Sequence, residues 1–325
     1  MKVLITTVPF AEKDRQPLKM LEDSKIKYLI NPLNRKLTES ELIEMLSDYD
    51  ALIAGTEKIS QTVINSAPKL KHISRVGIGL DNVDLLAAKE KGIKVSYTPD
   101  VPAPAIAELT IAMMLSLLRS THVSNDNMHK GKWLKVMGRR LAKVKIGLIG
   151  IGRVSTLIIK YLQAFESPTI FANDISEKAK NSSLPVNWVT KDKIFKEADV
   201  ISLHLPLTKL TKNLIKKEHL MSMKKDAMII NTSRGGIINE KDLYEVMKTG
   251  HLSGAAIDVF EQEPYNGPLI EIERCLMTSH MGSMSLDCRV NMEIEATEET
   301  IRFFNRDYLK REVPVDEYKV QQMSL

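Results

Sequence analysis

The chain has 325 residues, of which 43% are hydrophobic, 27% are charged and only 5% are aromatic. This composition excludes a disordered or low-complexity protein, and the length predicts about two domains. The formal net charge is +5, but acidic residues interleave the basic ones and no basic run carries aromatic residues. We therefore expect no nucleic-acid partner.

Targeting and membrane signals are weak in this sequence. The apolar stretch from Leu109 to Leu118 is far shorter than the roughly 18 residues that a membrane span needs. The apolar run at the N-terminus ends before Glu12, which is too early for a secretory signal. Cys275 and Cys288 are the two cysteines, which favours a reducing compartment and packing roles for both. We expect a cytoplasmic protein with no membrane partner and no metal site.

The first third of the chain alternates between strand and helix signals. Short apolar runs predict strands at residues 3–5, 28–30, 51–54, 72–76 and 94–97. Before the third strand, Thr38 and Glu41 precede an apolar stripe at Leu42 and Leu46, which is the start signal of a helix. This alternation predicts a parallel sheet with crossover helices.

A proline cluster separates this series from a second one. Pro99, Pro102 and Pro104 predict a hinge or boundary over 98–105, because proline disfavours helix at the residue before it. A helix is predicted over 106–118, and a loop with a short helix over 121–143. Further strands are predicted at 145–150, 169–173, 186–189, 200–203, 227–231, 254–258 and 275–278.

The first strand of the second series leads into a glycine-rich turn. Gly150 and Gly152 follow it and precede an apolar helix. Gly150 permits a tight turn, and Gly152 lets a pyrophosphate approach the amides at the helix N-terminus. The third position of this G-x-G-x-x-G pattern is Ser155, a small residue that we expect to fit against the strand. The pattern predicts a dinucleotide site.

Asp174 strengthens that prediction, because it ends the next strand 24 residues after Gly150. A carboxylate at this place can accept hydrogen bonds from the adenosine ribose and repels a 2′-phosphate, so NAD is favoured over NADP. The alternative is that Asp174 only caps the turn at residues 175–177.

Three later segments, 231–236, 258–264 and 278–282, carry polar residues where predicted strands end. Open α/β sheets bind ligands at that edge, and the planar guanidinium of Arg234 suits a carboxylate. Together with residues 75–84 and 203–208, these segments resemble the D-isomer-specific 2-hydroxyacid dehydrogenases, in the branch of phosphoglycerate dehydrogenase catalytic domains. The resemblance covers nearly the whole chain.

The resemblance implies an NAD-dependent oxidoreductase that interconverts a D-2-hydroxy acid and a 2-oxo acid. Arg234 would bind the substrate carboxylate and carbonyl oxygen, His280 would be the acid/base, and Glu263 would be its carboxylate partner. These roles fit the chemistry, because reducing a ketone needs a proton on oxygen. Histidine titrates near neutrality, and a neighbouring carboxylate stabilises its protonated form.

Further contacts are implied on both domains. Asp258 would meet the nicotinamide carboxamide. The other implied cofactor contacts are Gly150, Gly152, Arg153, Val154, Asp174, Pro206, Thr232, His280 and Gly282. On the first domain, the backbone around Val76, Gly77 and Ile78 would bind the substrate carboxylate, and Lys58 would contact an anionic group.

Three positions depart from the phosphoglycerate-specific relatives. Ala54 stands where those enzymes carry a phosphate-binding arginine, residues 101–105 lack the usual polar side chains, and Ser279 replaces a common proline. The identity of the oxo acid, phosphorylated or not, therefore stays open. About 20 residues follow Phe304, so we expect no regulatory domain.

The sequence thus predicts two Rossmann-like or flavodoxin-like α/β domains with parallel sheets and a cleft between them. Residues 1–98 and 285–325 would form the substrate domain, and residues 99–284 the NAD domain. A homodimer through residues 106–143 is implied by the resemblance. Two alternatives stay open: a nucleotide-sensing binding protein like the corepressors that share this fold, and a dehydrogenase of another small anion such as phosphite or formate. The remaining histidines, including His72, His204 and His219, are assigned to structure.

Overall fold

A computed structural model describes residues 1–166 and 168–322, without the side chain of Lys178. The described chain forms two compact units. Unit 1 comprises Met1–Pro102 and the segment from Ser283 onward, and unit 2 comprises Ala103–Gly282. Each unit is built on one parallel sheet.

Strands and helices alternate along most of the chain. The strands are β1 (Lys2–Ile5), β2 (Lys27–Ile30), β3 (Ala51–Ala54), β4 (His72–Arg75), β5 (Lys94–Tyr97), β6 (Ile146–Ile149), β7 (Ile170–Asn173), β8 (Asn187–Trp188), β9 (Val200–Leu203), β10 (Met228–Asn231), β11 (Gly254–Ile257) and β12 (Cys275–Met277). The helices are α1 (Gln16–Asp23), α2 (Glu39–Leu46), α3 (Gln61–Asn65), α4 (Leu85–Glu90), α5 (Pro102–Arg119), α6 (Thr121–His129), α7 (Arg153–Leu162), α8 (Glu177–Lys180), α9 (Lys191–Glu197), α10 (Lys217–Ser222), α11 (Glu240–Thr249), α12 (Leu286–Asn305) and α13 (Val315–Gln322).

The sheet of unit 1 has the order β2-β1-β3-β4-β5, which is that of flavodoxin-like folds. Of its inner strands, β3 is a continuous apolar run and β1 is apolar after Lys2, as is typical of a parallel sheet covered on both faces. The third inner strand, β4, is buried although it contains His72 and Ser74. Helix α12 packs on this sheet, where Ser74 Oγ donates to the carbonyl of Ala296 at 2.9 Å. The C-terminal segment is therefore part of this core.

The sheet of unit 2 has the order β12-β11-β10-β9-β6-β7-β8. This is the Rossmann order extended by one strand, and it reverses between β9 and β6. Because every strand pair is parallel, the strands all end at one edge, here named the carboxyl edge. Ligands of such sheets bind there, beside the reversal.

The helix start predicted at Thr38 is confirmed. Thr38 is the N-cap of α2, and its side chain accepts from the Glu41 amide. The Glu41 carboxylate in turn accepts the Thr38 N–H at 2.9 Å. Two amides that the helix itself cannot bond are thereby satisfied, so the local pattern alone determines where α2 begins.

The helix predicted over 106–118 begins four residues earlier, because α5 starts at Pro102, inside the proline cluster. Pro102 and Pro104 lie in its first turn, where amides have no intrahelical partner and the fixed proline φ suits a helix. By length and composition α5 could cross a membrane, but half of it is buried inside the protein. Ala107 and Met114 are fully buried in unit 2, so we assign α5 as a core helix.

A buried histidine joins β4 to β5 and α12. His72 is fully buried, its Nε2 lies 3.0 Å from Ser96 Oγ, and its ring stacks on Phe303 with 4.8 Å between centroids. Burial lowers the pKa of His72 to about 3. The ring is therefore neutral in the folded protein and has a structural role.

This neutral His72 makes stability depend on pH. Below about pH 6.5 the unfolded chain binds a proton that folded His72 excludes down to about pH 3, so the free energy of unfolding falls as pH falls through this window. His72→Gln should reduce the slope of the free energy of unfolding against pH by up to about 1.4 kcal/mol per pH unit. Urea unfolding at several pH values between 4 and 7 measures this slope. His129→Gln, at an exposed histidine, is the control, and equal slopes in wild type and His72→Gln would contradict the prediction.

Candidate active site

The glycine turn after β6 lies against the end of β9. Gly150 has φ +92°, and a Cβ on it would lie 2.3 Å from the carbonyl oxygen of His204, so only glycine fits. A Cβ on Gly152, by contrast, would meet no atom within 4 Å. Within the described chain, no side chain caps the N-terminus of α7, whose N-cap is Gly152. Open space before uncapped helix amides suits a dinucleotide pyrophosphate.

The two residues that flank this turn are both hydrogen-bonded to it. Ser155 is fully buried and donates from Oγ to the Gly150 carbonyl at 2.6 Å, so a small polar residue fits this position. Asp174 accepts the Ile151 N–H at 2.6 Å and the Ser176 N–H at 2.7 Å. Asp174 thus caps its own turn, and carboxylate oxygens have further lone pairs for ribose hydroxyls.

The turn that carries Arg234 is closed by Asn231, the last residue of β10. Asn231 Oδ1 accepts the Ser233 N–H at 3.1 Å, and its Nδ2 donates to the Arg234 carbonyl at 2.8 Å. Arg234 is partly buried and donates to the Ser233 carbonyl at 2.7 Å. This role of Asn231 was not foreseen from the sequence, although an asparagine at a strand end is a known turn signal.

Asp258 holds the loop that carries His280. Asp258 is fully buried, and its carboxylate accepts from Thr278 Oγ1 at 2.5 Å, the Met281 N–H at 2.7 Å and the Gly282 N–H at 2.9 Å. The His280 N–H also donates to the Asp258 carbonyl at 2.8 Å. This structural role was not foreseen from the sequence, where Asp258 was considered only as a cofactor contact.

Glu263 and His280 form a close pair. His280 Nδ1 lies 3.0 Å from Oε1 and 2.8 Å from Oε2 of Glu263, and the two side chains are 41% and 35% exposed. His280 has φ +55°, an uncommon conformation that often marks functional positions. Because Glu263 accepts from Nδ1, Nε2 is the nitrogen that can exchange a proton with a ligand.

The other predicted cofactor residues of unit 2 also lie at its carboxyl edge. Pro206 follows β9 and accepts from Thr211 Oγ1 at 2.6 Å. Thr232 follows β10, and its Oγ1 lies 2.8 Å from Thr110 Oγ1. Arg153 and Val154 begin α7. Strand topology places all of them at the edge that binds ligands in this fold.

His204 lies at the same edge, and its chemistry differs from that of His280. Its Nε2 is 2.9 Å from Ser202 Oγ, and burial lowers the pKa of His204 to about 3. A ring that stays neutral cannot serve as the proton donor near neutral pH. His280 is therefore the better candidate acid of the two.

The predicted substrate residues of unit 1 follow β3 and β4. The Val76 N–H donates to the Ala54 carbonyl at 2.9 Å, and the Gly77 N–H donates to Thr98 Oγ1 at 2.7 Å. Of the three predicted amides, these two already have acceptors within unit 1, whereas the Ile78 N–H has no acceptor among the described residues. Lys58 is exposed and lies 3.6 Å from the Glu39 carboxylate.

Comparison with known proteins shows what this chain resembles. Residues 111–282 match the model of the D-isomer specific 2-hydroxyacid dehydrogenase NAD binding domain. The hydroxypyruvate reductase of Thermotoga maritima is 37% identical over 82% of this chain and 88% of its own length. The D-3-phosphoglycerate dehydrogenase of Methanocaldococcus jannaschii is 39% identical over 76% of this chain, but the match spans only 48% of that enzyme.

Structural comparison leads to the same family. The TT0316 protein of Thermus thermophilus superposes with a TM-score of 0.88 at 30% identity, covering 97% of this chain and 100% of the other. The family model includes the glycine turn, Arg234 and His280 within its matched range. NAD is the cofactor of this domain, and the open start of α7 fits it. The chain belongs to the D-isomer-specific 2-hydroxyacid dehydrogenases, a family of NAD-dependent oxidoreductases.

Proposed function

We propose that this enzyme reduces a short, unphosphorylated 2-oxo acid to the D-2-hydroxy acid, with His280 as the proton donor. The observation that carries the proposal is the contact of His280 Nδ1 with both carboxylate oxygens of Glu263, at 3.0 and 2.8 Å. A histidine held in this way at the carboxyl edge of a Rossmann sheet has the orientation and charge support of a general acid.

Each residue has a separate task in the proposed reaction. NADH, when bound, supplies the hydride. His280 Nε2 gives its proton to the substrate oxygen, while Glu263 stabilises the protonated ring and fixes its orientation. Arg234 binds the substrate carboxylate through its planar guanidinium. Asn231 and Asp258 hold the turns of Arg234 and His280 through the hydrogen bonds described above.

The choice of an unphosphorylated substrate rests on unit 1. Ala54 ends β3 and is fully buried, so it offers no charge to a phosphate. The nearby Lys58 is paired with Glu39, which offsets its charge. The match to the hydroxypyruvate reductase also spans 88% of that relative. These observations favour hydroxypyruvate-like acids over 3-phosphohydroxypyruvate.

A substrate panel tests this proposal. NADH oxidation is followed at its absorbance band with glyoxylate, hydroxypyruvate, pyruvate and 3-phosphohydroxypyruvate, and we expect the highest kcat/KM with glyoxylate or hydroxypyruvate. NADH binding without turnover of any acid would favour a nucleotide-sensing protein. NAD reduction by phosphite or formate alone would favour a dehydrogenase of another small anion. A preference for the phosphorylated acid would contradict the substrate choice.

Substitutions at the pair test the proton transfer. His280→Ala should lower kcat for ketone reduction about 10²- to 10⁴-fold, the usual contribution of a general acid. Reduction needs the protonated ring, so its rate falls as pH rises. Glu263→Gln removes the charge that stabilises this ring, and the fall-off should move to lower pH. Full turnover by His280→Ala, or an unmoved profile in Glu263→Gln, would contradict the assigned roles.

We also propose that the enzyme works as a homodimer in the cytoplasm. Residues 130–140 contain no helix or strand, yet they expose large apolar side chains, with Trp133 at 78% and Met137 at 95%. Arg139 fixes the end of this segment by donating to the Asp226 carbonyl at 2.8 Å. A second copy of the chain is the partner that family membership favours. Both cysteines are buried and free, which suits a reducing compartment.

Charge substitutions in this segment test the dimer. Trp133→Glu and Met137→Glu should shift the molar mass measured by light scattering from two chains to one, because charges disrupt an apolar contact. Lys135→Glu, at an exposed position of the same segment, is the control. A wild-type protein with the mass of one chain would contradict the proposal.

A further inference from the structure

A hydrogen bond attaches the turn that carries Glu263 to the start of α11. Glu240, the first residue of α11, accepts the N–H of Glu261 through Oε1 at 2.6 Å. The preceding amide, that of Phe260, donates to Glu263 Oε1 at 3.1 Å. Two successive amides of the turn therefore donate to two carboxylates, one from α11 and one from Glu263 itself.

Glu240 is itself held on a rigid element. The preceding residue, Asn239, caps α11 by accepting the Asp242 N–H at 3.0 Å. The Asn239 N–H donates to the carbonyl of Ile215 at 2.9 Å, and Ile215 is fully buried. The Glu240 carboxylate thus reaches the turn from a fixed backbone position, which is what accurate positioning of a neighbouring group requires.

The Arg234 turn contacts the Glu263 turn from another side. A Cβ on Gly235 would lie 2.0 Å from the carbonyl carbon of Phe260 and 2.6 Å from the Glu261 nitrogen. This close approach limits how far the turn can shift toward Gly235. Glu240 and Gly235 therefore both lie against Glu261 and together restrict the position of the turn.

The charges around Glu240 bear on how it acts. Burial raises the pKa of Glu240, the hydrogen bond from the Glu261 N–H opposes this rise, and the negative charges of Glu261 and Glu263 add to it. Tyr265 is a further titratable group close to Glu240: burial raises the pKa of Tyr265, and the negative charge of Glu240 adds to this effect. A neutral carboxyl group keeps a carbonyl oxygen that accepts an N–H. The contact with Glu261 therefore does not require Glu240 to be charged.

We propose that Glu240 is a positioning residue for the reaction: by accepting the Glu261 N–H, it fixes the turn from which Glu263 meets Nδ1 of His280. This inference rests on the proposed roles of Glu263 and His280. Glu240 acts through Glu263 and is not itself a catalytic residue. Displacement of a supporting group by about 1 Å can reduce the rate up to about a hundredfold.

The inference predicts distinct effects for two substitutions. Glu240→Ala removes the acceptor, so kcat for 2-oxo acid reduction should fall about ten- to a hundredfold. Its fall-off with rising pH should move to lower pH, as in Glu263→Gln. Glu240→Gln keeps an acceptor of the same reach. It should therefore retain most of the rate that Glu240→Ala loses and should keep the wild-type pH profile. NADH affinity, measured by fluorescence, should change less than about twofold in both.

A double-mutant cycle separates positioning from a general structural role. If Glu240 acts through Glu263, then Glu240→Ala should cost little further rate in a Glu263→Gln background. Independent effects would multiply instead, and that result would overturn the inference. Glu245→Ala is the matched control, because Glu245 lies on the same helix and pairs with Lys217 at the surface. It should leave the rate and the pH profile unchanged.

The unfolding midpoint of each variant shows whether it is folded. If Glu240→Ala does not fold, Glu240→Asp, which shortens the side chain by one methylene, takes its place in the cycle and should show the same non-additivity. Unchanged pH profiles in Glu240→Ala and Glu240→Asp, beside a shifted profile in Glu263→Gln, would overturn the inference alone. Unchanged rates in His280→Ala and Glu263→Gln would instead overturn the proposed function.

Discussion

The candidate active site depends on the buried carboxylate of Asp258. A buried charge is stable only when it is paired or hydrogen-bonded, and Asp258 obtains its donors from Thr278, Met281 and Gly282. Those residues surround His280, so satisfying the Asp258 carboxylate also determines where the histidine lies. The left-handed conformation of His280 is tolerated because this loop is held at several points.

Carboxylates that accept backbone N–H groups of a turn recur along the carboxyl edge of unit 2. Asp174 accepts an amide of the glycine turn, Glu240 accepts an amide of the Glu263 turn, and Glu263 accepts the Phe260 amide while it contacts His280. Hydrogen bonds to ionised carboxylates are stronger than those between neutral groups. Turns with no regular structure are thereby held in place, which is what preorganised catalysis requires.

The two units use one architecture with different strand orders. Unit 2 has the Rossmann order, with its reversal beside the glycine turn, and family membership makes it the NAD-binding part of the chain. Unit 1 has the flavodoxin-like order, and the amides after β4 are largely used within the unit. The proposed substrate choice therefore depends on side chains of unit 1 such as Ala54 and Lys58.

The sequence by itself determined the strands, the α/β class, the family and the residues of the candidate pair, because strand periodicity, the glycine turn and long ordered segments are local in the chain. The sequence did not predict the start of α5 at Pro102, because proline disfavours most helix positions but not the first turn. Only the tertiary structure decided that Glu240 and Asp258 support the site. Their partners lie on other turns of the sheet edge, and contacts between distant residues leave no spacing signal in one sequence.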